Sequence, residues 1–172
     1  MKTSVFIRTR RYDSPCGQLL LGALGDRLCL CDWQTAGHRE RVLSRLRRVL
    51  SAEIGEGCSD ATDEAARQLD EYFAGRRRVF SVPLLFAGSE FQRSVWQCLL
   101  GIPYGQRMSY GQMARLLGRP RAVRAVASAN GANALSILVP CHRVIGSDGS
   151  LTGYAGGLEA KRFLLGLEER GR

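Results

Sequence analysis

The first half of the chain alternates between strand-like and helix-like patterns of apolar and polar residues. The stretch SVFIRTRRY partly alternates β-branched or aromatic residues with polar ones, which predicts a strand. The next stretch, QLLLGALGDRLCLCDW, predicts two strands joined by a hairpin turn at Gly25 and Asp26. A basic helix is expected to follow, because five apolar residues recur on one helical face: Val42, Leu43, Leu46, Val49 and Leu50.

The rest of the first half completes a small mixed domain. Residues 55–60 predict a loop, a second helix is expected from about Thr62 to Phe73, and RRRVFSVPL predicts a further short strand. The arginines of the first helix could contact DNA, but a solvated helix surface explains them better. We therefore expect an α/β (α+β) N-terminal domain over residues 1–86, with a small β-sheet and helices.

From residue 87 to residue 172 the pattern predicts a second, mostly helical domain. The stretch SEFQRSVWQCLL predicts a helix, and so does the C-terminal stretch that ends in KRFLLGLE. Between them, the apolar run ALSILVP is rich in β-branched residues and predicts a strand. The inward face of the first helix is expected to carry Phe91, Val95 and either Leu99 or Cys98. That of the second is expected to carry Phe163, Leu164 and Leu167, with Leu165 as a further candidate.

Two short helices in this half form a helix-turn-helix pattern. Ser109 and Gln112 make an S-x-x-Q capping box at the start of SYGQMARLLG, and Gly118 is expected to end that helix. The following helix begins in RPRAVRAVASANGAN, with Pro120 near its first turn. Two short helices joined by a glycine-containing turn are typical of DNA-binding helix-turn-helix domains.

The charge around these helices favours a polyanionic partner. Residues 107–143 contain six arginines and no acidic residue, and the whole chain has a formal net charge of +9. Such an excess makes nucleic acid the first candidate partner. The small residues around Arg124 would let its helix approach a surface closely. An alanine-rich helix packed in a core is the alternative, although Arg119, Arg121 and Arg124 cannot all be buried.

The stretch VPCHRV places a cysteine between a proline and a histidine. Pro140 restrains the backbone there, and positive surroundings favour the thiolate, which is the nucleophilic form of the side chain. Adjacent side chains often diverge, so His142 can act on Cys141 through a bridging water rather than directly. Such a base needs a carboxylate to orient it. The acidic candidates downstream are Asp148, Glu159, Glu168 and Glu169.

Composition limits the class of protein and the compartment. The chain has 172 residues, of which 45% are hydrophobic and 24% charged, as in an ordinary globular protein. The opening MKTSVFIRTRRYD has no signal-peptide pattern, so we expect a cytoplasmic protein with reduced cysteines. Cys29, Cys31 and His38 could supply three metal ligands, but alternating strand residues explain the two cysteines better, and we expect no metal site.

The second half resembles the O6-alkylguanine-DNA alkyltransferases, also called methylated-DNA–protein-cysteine methyltransferases, in their bacterial form. The matching stretches are FQRSVW, IPYGQRMSYGQMA, RPRAVRAVASANGAN, ILVPCHRVIG and GSLTGYAGGLEAKRFLLGLE. The first half matches more loosely, through SPCGQLLLGALGDRL and LDEYFAGRR. The resemblance implies a ribonuclease-H-like N-terminal domain and a mostly helical, winged helix-turn-helix C-terminal domain. That second domain would repair DNA by irreversible, single-turnover alkyl transfer.

The resemblance also implies a catalytic role for particular residues. Cys141 would accept the alkyl group, His142 would deprotonate it through a water, and Glu168 would orient the imidazole. Asn133 would hold the cysteine segment through hydrogen bonds to backbone. Tyr110 would contact the flipped nucleotide and its phosphate and assist departure of the guanine.

Further residues are implied in binding DNA and the base. Arg124 would enter the stack and replace the extruded base, in a minor-groove complex with double-stranded DNA. Backbone groups of Val144 and Cys141 would read the base edge. The other implied DNA contacts are Arg121, Ala125, Ala129 and Ser109. The other implied pocket residues are Tyr154, Ala155 and Gly156.

The resemblance implies no cofactor, and we expect a monomer. No membrane partner is expected either, because no run approaches the roughly 20 apolar residues that a membrane span needs. Side-by-side binding of several copies on DNA, the range of alkyl groups and activity on O4-alkylthymine stay open. Three alanines depart from the common pattern, which has glycine, proline and sometimes serine at these positions: Ala127, Ala134 and Ala155. Two other hypotheses are a winged-helix regulator with an incidental or redox-sensing Cys141 and a thiol hydrolase. The regulator does not explain the Cys-His pair, and the hydrolase lacks a separate histidine near the thiol.

Overall fold

The computed structural model describes residues 3–172, which form two compact units, one ending at Gly88 and the other beginning at Ser89. The first unit contains a four-stranded sheet in the order β3-β2-β1-β4. Strands β1 (Val5–Ser14), β2 (Gly17–Leu24) and β3 (Arg27–Trp33) are antiparallel neighbours. The predicted hairpin at Gly25 and Asp26 is confirmed, since β2 ends and β3 begins on either side of it.

The fourth strand, β4 (Ala52–Glu56), pairs in parallel with β1. It takes in Gly55 and Glu56, so the loop predicted over residues 55–60 is wrong at its start. Local sequence does not reveal this strand, because its partner lies more than forty positions away in the register Ile7↔Ile54. A parallel pair needs a crossover connection, which here includes helix α1 (His38–Leu50).

Helix α1 contacts β3 and β4, whereas helix α2 (Asp60–Phe73) packs on β1, β2 and β3. Both predicted helices are confirmed. In α1, Val42 and Leu46 are buried, but Val49 is 44% exposed, so the predicted apolar face is narrower than expected. Helix α2 begins after Ser59, whose side chain accepts a hydrogen bond from the Thr62 N–H.

The strand predicted in RRRVFSVPL is wrong. Only a single bridge joins Leu84 to Leu28, flanked by hydrogen bonds from the Leu28 N–H to Pro83 O and from the Leu85 N–H to Leu28 O, both 2.8 Å. Pro83 has no N–H to donate, which prevents a continuous ladder along β3.

The second unit packs three helices together: α3 (Glu90–Leu99), α4 (Tyr110–Leu116) and α5 (Val123–Gly131). Val95, Trp96 and Leu99 form the buried face of α3, and Phe91 lies half-buried with the Arg119 guanidinium 5.4 Å from its ring centre. The capping box of α4 is confirmed, and Gly118, with φ of +70°, follows the helix as expected. Helix α5 starts three residues after Pro120, so that proline lies in the turn and not in the first helical turn.

Two short strands and a last helix complete this unit. Strand β5 (Met108–Ser109) pairs in parallel with β6 (Val144–Ile145), and helix α6 (Leu158–Arg170) contacts the 3₁₀ turn Cys141–Arg143. Leu164 is buried in α6 as predicted, but Phe163 and Leu167 are only half-buried. The inner face of α6 instead includes Lys161 and Glu168.

Candidate active site

The segment that carries Cys141 is a tight, buried turn and not the predicted strand. Ser136 and Val139 form only an isolated bridge, and Ile137 has a φ of +74°. A β-branched residue in the left-handed region is strained, so its surroundings must hold it there. Asn133 does so, because its Nδ2 donates to Val139 O at 2.9 Å and its Oδ1 accepts from the Leu135 N–H at 2.9 Å.

Cys141 begins the 3₁₀ turn and is almost completely buried, with 5% of its surface exposed. Its N–H donates to Val139 O at 2.8 Å, and its carbonyl accepts from the Val144 N–H. The Asn130 amide, buried in α5, reaches the same carbonyl at 3.4 Å. The backbone on both sides of the thiol is therefore fixed by short-range hydrogen bonds and by one side chain from α5.

His142 and Glu168 lie together in the interior of the second unit. The Nε2 of His142 is 2.8 Å from Oε1 of Glu168, and both side chains are at most 1% exposed. Arg143 adds two hydrogen bonds to the same carboxylate, from Nε to Oε2 at 2.9 Å and from Nη2 to Oε1 at 2.8 Å. The Gly105 N–H points at Oε2 from 3.4 Å. Glu168 was thus correctly placed beside His142 by the resemblance, among the four carboxylates that the sequence left open.

The protonation of this pair follows from its surroundings. Burial would raise the pKa of Glu168, but hydrogen bonds from His142 and Arg143 outweigh it and hold that pKa well below its usual range. Burial lowers the pKa of His142, and the hydrogen bond and charge of Glu168 oppose this only in part. A neutral imidazole beside an ionised carboxylate carries its proton on Nε2. The lone pair is then on Nδ1, which is buried and has no hydrogen-bond partner among residues 3–172.

The β5–β6 pair brings the start of α4 to residues 139–145, the acceptor segment, named for the acceptor role expected of Cys141. Met108 lies opposite Val144 and Ser109 opposite Ile145. Tyr110, the first residue of α4, follows directly and is half-buried. Ser109 itself caps the helix, accepting from the Gln112 N–H at 3.1 Å. Tyr110 therefore directly follows β5, and β5 pairs with β6, the strand that begins right after the 3₁₀ turn of Cys141.

The outer face of α5 presents Arg124, Ala125 and Ser128 to solvent, and Arg121 is exposed just before the helix. This agrees with the proposed DNA face. Ala129 does not, and its predicted DNA contact is wrong. It is only 3% exposed, and its carbonyl accepts a hydrogen bond from the buried Trp96 Nε1 at 2.8 Å. The helix period places Ala129 on the inner face, which packs against α3.

The residues predicted to line a base pocket lie in the loop before α6. Tyr154, Ala155 and Gly156 are each half-buried, and the Gly157 N–H donates to Tyr154 O at 2.9 Å. Val144, on the acceptor side, is fully buried. Its carbonyl accepts a hydrogen bond of 2.7 Å from Nζ of Lys161, whose ammonium also donates to Thr152 O at 2.9 Å.

Sequence reasoning missed three residues that hold this site together, namely Arg143, Lys161 and Asn130. In the sequence, Arg143 is only one of the six arginines in residues 107–143, but in the structure it donates to Ile102 O at 2.6 Å and lies 5.8 Å from the Tyr104 ring centre. Lys161 carried a usable signal, since residues 161, 164, 165 and 168 share one helical face. Asn130 carried none, because a buried amide reads like a polar surface residue in sequence.

The candidate metal ligands of the first unit have other surroundings. Cys29 and Cys31 are buried in β3, and His38 Nε2 lies 2.7 Å from Oδ2 of the buried Asp32. Burial raises the pKa of Cys29 to about 12, which keeps that thiol protonated. Across residues 3–172, the structure contains no group of three or more histidine, cysteine or acidic side chains that could hold a metal ion.

The fold and site define a two-domain protein whose C-terminal unit combines a helix-turn-helix with a buried cysteine and, next to it in the chain, a buried histidine that is hydrogen-bonded to a glutamate. Residues 7–86 match the ribonuclease-like domain, and residues 90–170 the DNA binding domain, of 6-O-methylguanine DNA methyltransferases. The chain belongs to the 6-O-methylguanine DNA methyltransferase family. The family, the fold class and the enzyme class expected from the sequence are thereby confirmed.

Relatives and solved structures support this assignment over nearly the whole chain. The methylated-DNA–protein-cysteine methyltransferase of Mycolicibacterium paratuberculosis is 56% identical over 169 residues, covering 95% of this chain and 93% of the relative. The crystal structure of Mycobacterium tuberculosis O6-methylguanine methyltransferase is 42% identical, covers 96% of this chain and 94% of its own, and has a TM-score of 0.81. The same organism's OGT in complex with DNA is 41% identical, with coverages of 97% and 94% and a TM-score of 0.79.

No helix within residues 3–172 combines the length and the apolar character that crossing a membrane would require.

Proposed function

We propose that this protein repairs DNA by moving an alkyl group from O6 of an alkylated guanine to Sγ of Cys141, once per molecule. The observation that carries the proposal is the buried network around His142, whose neutral imidazole is oriented by Glu168 and keeps a lone pair on Nδ1. The name of the relatives, methylated-DNA–protein-cysteine methyltransferase, states this class of reaction. The His142 network offers a chemical basis for it in this chain.

The chemistry starts with the thiol proton. His142 takes it through a bridging water, and the thiolate attacks the alkyl carbon in line with the leaving oxygen. A carbon–sulfur bond forms as the bond between the alkyl carbon and O6 breaks. The proton finally resides on the restored guanine, which stays attached to the DNA. The hydroxyl of Tyr110 donates toward the leaving base, which lowers the cost of its departure. The thioether is stable, so the protein acts as a stoichiometric acceptor and needs no cofactor.

The lesion must leave the base stack before its carbon meets a buried sulfur. We propose that α5 enters the minor groove of double-stranded DNA and that Arg124 fills the space of the extruded nucleotide. The exposure of Arg124, Ala125 and Arg121 supports this role, and their charge favours contact with phosphates. Ser109 and Tyr110 lie at the start of α4, where backbone N–H groups also attract phosphate.

The extruded guanine would lie between two segments of the second unit. The loop with Tyr154, Ala155 and Gly156 would form one wall, and the backbone of Cys141 and Val144 would contact the base edge. Asn133 supports the acceptor side, because it holds the strained turn in front of Cys141. The half-buried state of the loop residues fits a surface that a flat ligand can cover.

The two competing functions fit less well. A hydrolase needs a water activated at the same site after acylation, and the other histidine, His38, belongs to the first unit and is paired with Asp32. A regulator with an incidental Cys141 gives no reason for burying His142 with the charged pair Glu168 and Arg143. Burying such groups is costly, which favours a chemical role for them.

Mass spectrometry of the peptides tests the proposal. After incubation with a duplex containing O6-methylguanine, we expect one added methyl group on the peptide with Cys141 and none elsewhere. Cys141→Ala should abolish transfer and keep DNA affinity, whereas Cys98→Ala, a matched change in the same unit, should leave transfer intact. Repeated turnover, or methylation of another cysteine, would contradict the proposal. A parallel duplex with O4-methylthymine defines the substrate range.

A further inference from the structure

Lys161 is a fully buried lysine on the inner face of α6. Complete burial of an ammonium is rare, because desolvation is expensive unless hydrogen bonds and a counter-charge offset it. The hydrogen bonds are present, since Nζ donates to Val144 O at 2.7 Å and to Thr152 O at 2.9 Å. No carboxylate within residues 3–172 lies at ion-pair distance from this ammonium.

The two carbonyls belong to two different walls of the proposed base pocket. Val144 follows the 3₁₀ turn of Cys141, and Thr152 lies two residues before Tyr154. Lys161 therefore joins the acceptor segment to the loop with one side chain. It also fixes the direction of the Val144 carbonyl, the group that would contact the edge of the base.

The Cys141 side chain, once ionised, would supply a negative charge that acts on this ammonium. Burial lowers the pKa of Lys161, and the negative charge of the Cys141 thiolate acts in the opposite direction. Such an effect is mutual: if the thiolate stabilises the ammonium, the ammonium also stabilises the thiolate. Burial is the largest effect that lowers the pKa of His142, and the positive charges of Arg143 and Lys161 lower it further. It thereby favours the form of His142 that accepts a proton.

We propose that Lys161 is a positioning residue for alkyl transfer, which clamps the pocket loop to the acceptor segment and serves as the buried counter-charge of the Cys141 thiolate. The inference rests on the proposed function, since it assigns Lys161 a part in that reaction. It also explains why the inner face of α6 carries a lysine among Leu164, Leu165 and Glu168, where an apolar residue would pack at lower cost.

Single-turnover kinetics with Lys161→Met test the proposal, because methionine keeps an unbranched apolar side chain and removes only the ammonium. We expect the transfer rate constant at saturating O6-methylguanine duplex to fall on the order of 10- to 100-fold. This is less than the roughly 10²- to 10³-fold loss for a donor at the reacting atom itself, because Lys161 acts as a positioning residue. The reaction with free O6-benzylguanine, which needs no base flipping, should fall by a similar factor. Affinity for undamaged duplex should stay within about twofold, because Lys161 is buried away from solvent.

Two further variants separate charge from packing. Arg162→Met removes the neighbouring, exposed charge on α6 and should transfer at the wild-type rate. Lys161→Arg keeps the charge and should recover more of the rate than Lys161→Met does. If folded Lys161→Met transfers at the wild-type rate while wild type methylates Cys141, Lys161 only supports the fold and the inference is wrong. If wild type itself fails to transfer, the proposed function is wrong instead.

The unaltered protein offers a test that does not depend on the variants folding. We expect the ¹⁵N resonance of the Lys161 ammonium to shift when Cys141 is methylated by the O6-methylguanine duplex and the DNA is then removed. Methylation replaces a thiol that can ionise with a thioether that cannot, so the ammonium loses the partner whose negative charge it would balance. An unchanged Lys161 resonance in fully methylated protein would overturn the role of Lys161 as counter-charge.

Discussion

Arg143 and Glu168 form a buried ion pair through two parallel hydrogen bonds of 2.9 and 2.8 Å, and the same carboxylate also binds Nε2 of His142. Each partner of this cluster satisfies the others in the interior, where water does not compete. Loss of the carboxylate would leave the Arg143 guanidinium buried without its counter-charge and His142 without its orienting acceptor. The pair therefore links the stability of the second unit to the proposed chemistry.

Glu168→Gln should reduce both stability and transfer. Removing one partner of a buried ion pair typically costs about 3–5 kcal/mol, so we expect a loss of this order in the free energy of unfolding, measured by urea denaturation. The transfer rate should fall as well, because an amide no longer selects the Nε2–H form of His142. Glu169→Gln is the matched control, since Glu169 is exposed and 3.7 Å from Arg107. A stable, fully active Glu168→Gln protein would refute the role given to this carboxylate.

Stability should decrease in mild acid. The pKa of His142 is lowered in the folded protein, so the unfolded chain binds that proton more readily, and the free energy of unfolding falls as the pH drops below about 6.5. Glu168, whose pKa is also lowered, contributes stability that is present above about pH 4.3 and lost below it. Denaturation across this range measures both effects. In His142→Gln, the decline near pH 6 should be smaller; an identical decline would assign it to other groups.

Arg124→Ala should impair repair of duplex DNA far more than reaction with free O6-benzylguanine. Arg124 is exposed on α5 and can offset part of the few kcal/mol that unstacking a base costs. We expect a rate loss on the order of tenfold or more with a methylated duplex and almost none with the free base. Arg162→Ala controls for the loss of a positive charge. Equal losses on both substrates would remove the stack-filling role.

DNA binding should weaken strongly with salt. Each phosphate contact contributes a slope of about −0.9 to the dependence of log K on log salt concentration, because bound counterions are released. Arg121→Ala should reduce the magnitude of the slope by about one contact, whereas Arg162→Ala, on α6, should leave it unchanged. Fluorescence anisotropy with an undamaged duplex measures both slopes. A DNA affinity that does not change with salt concentration would show that these arginines do not bind phosphates.

The proposed reactive residues could be predicted from the sequence because they lie in short motifs. VPCHRV brings the thiol, the imidazole and a restrained backbone together within six positions. The capping box of Ser109 and Gln112 and the Gly118 stop define α4 through contacts that span only three or four residues. The family resemblance added Glu168, which local reasoning had left as one of four carboxylates.

Other features depended on partners far away in the chain. Strand β4 exists because β1 offers it a parallel edge. The apolar run before Cys141 reads as a strand, yet Asn133 binds across it and forces Ile137 into a left-handed turn. From the sequence, Ala129 is a small residue on a helix expected to face DNA. In the structure its carbonyl accepts a hydrogen bond from Trp96 of α3, and Ala129 is buried.

The sequence by itself determined the helix pair, the hairpin, and the adjacency of the proposed acceptor cysteine and its histidine, because propensity, capping and adjacency act over a few residues. Only the tertiary structure decided that Arg143, Lys161 and Glu168 are buried together with His142. A charged side chain favours solvent unless particular partners surround it, and those partners here come from the acceptor segment, the pocket loop and α6. Burial of charge is thus a property of the packed unit, which no single segment specifies.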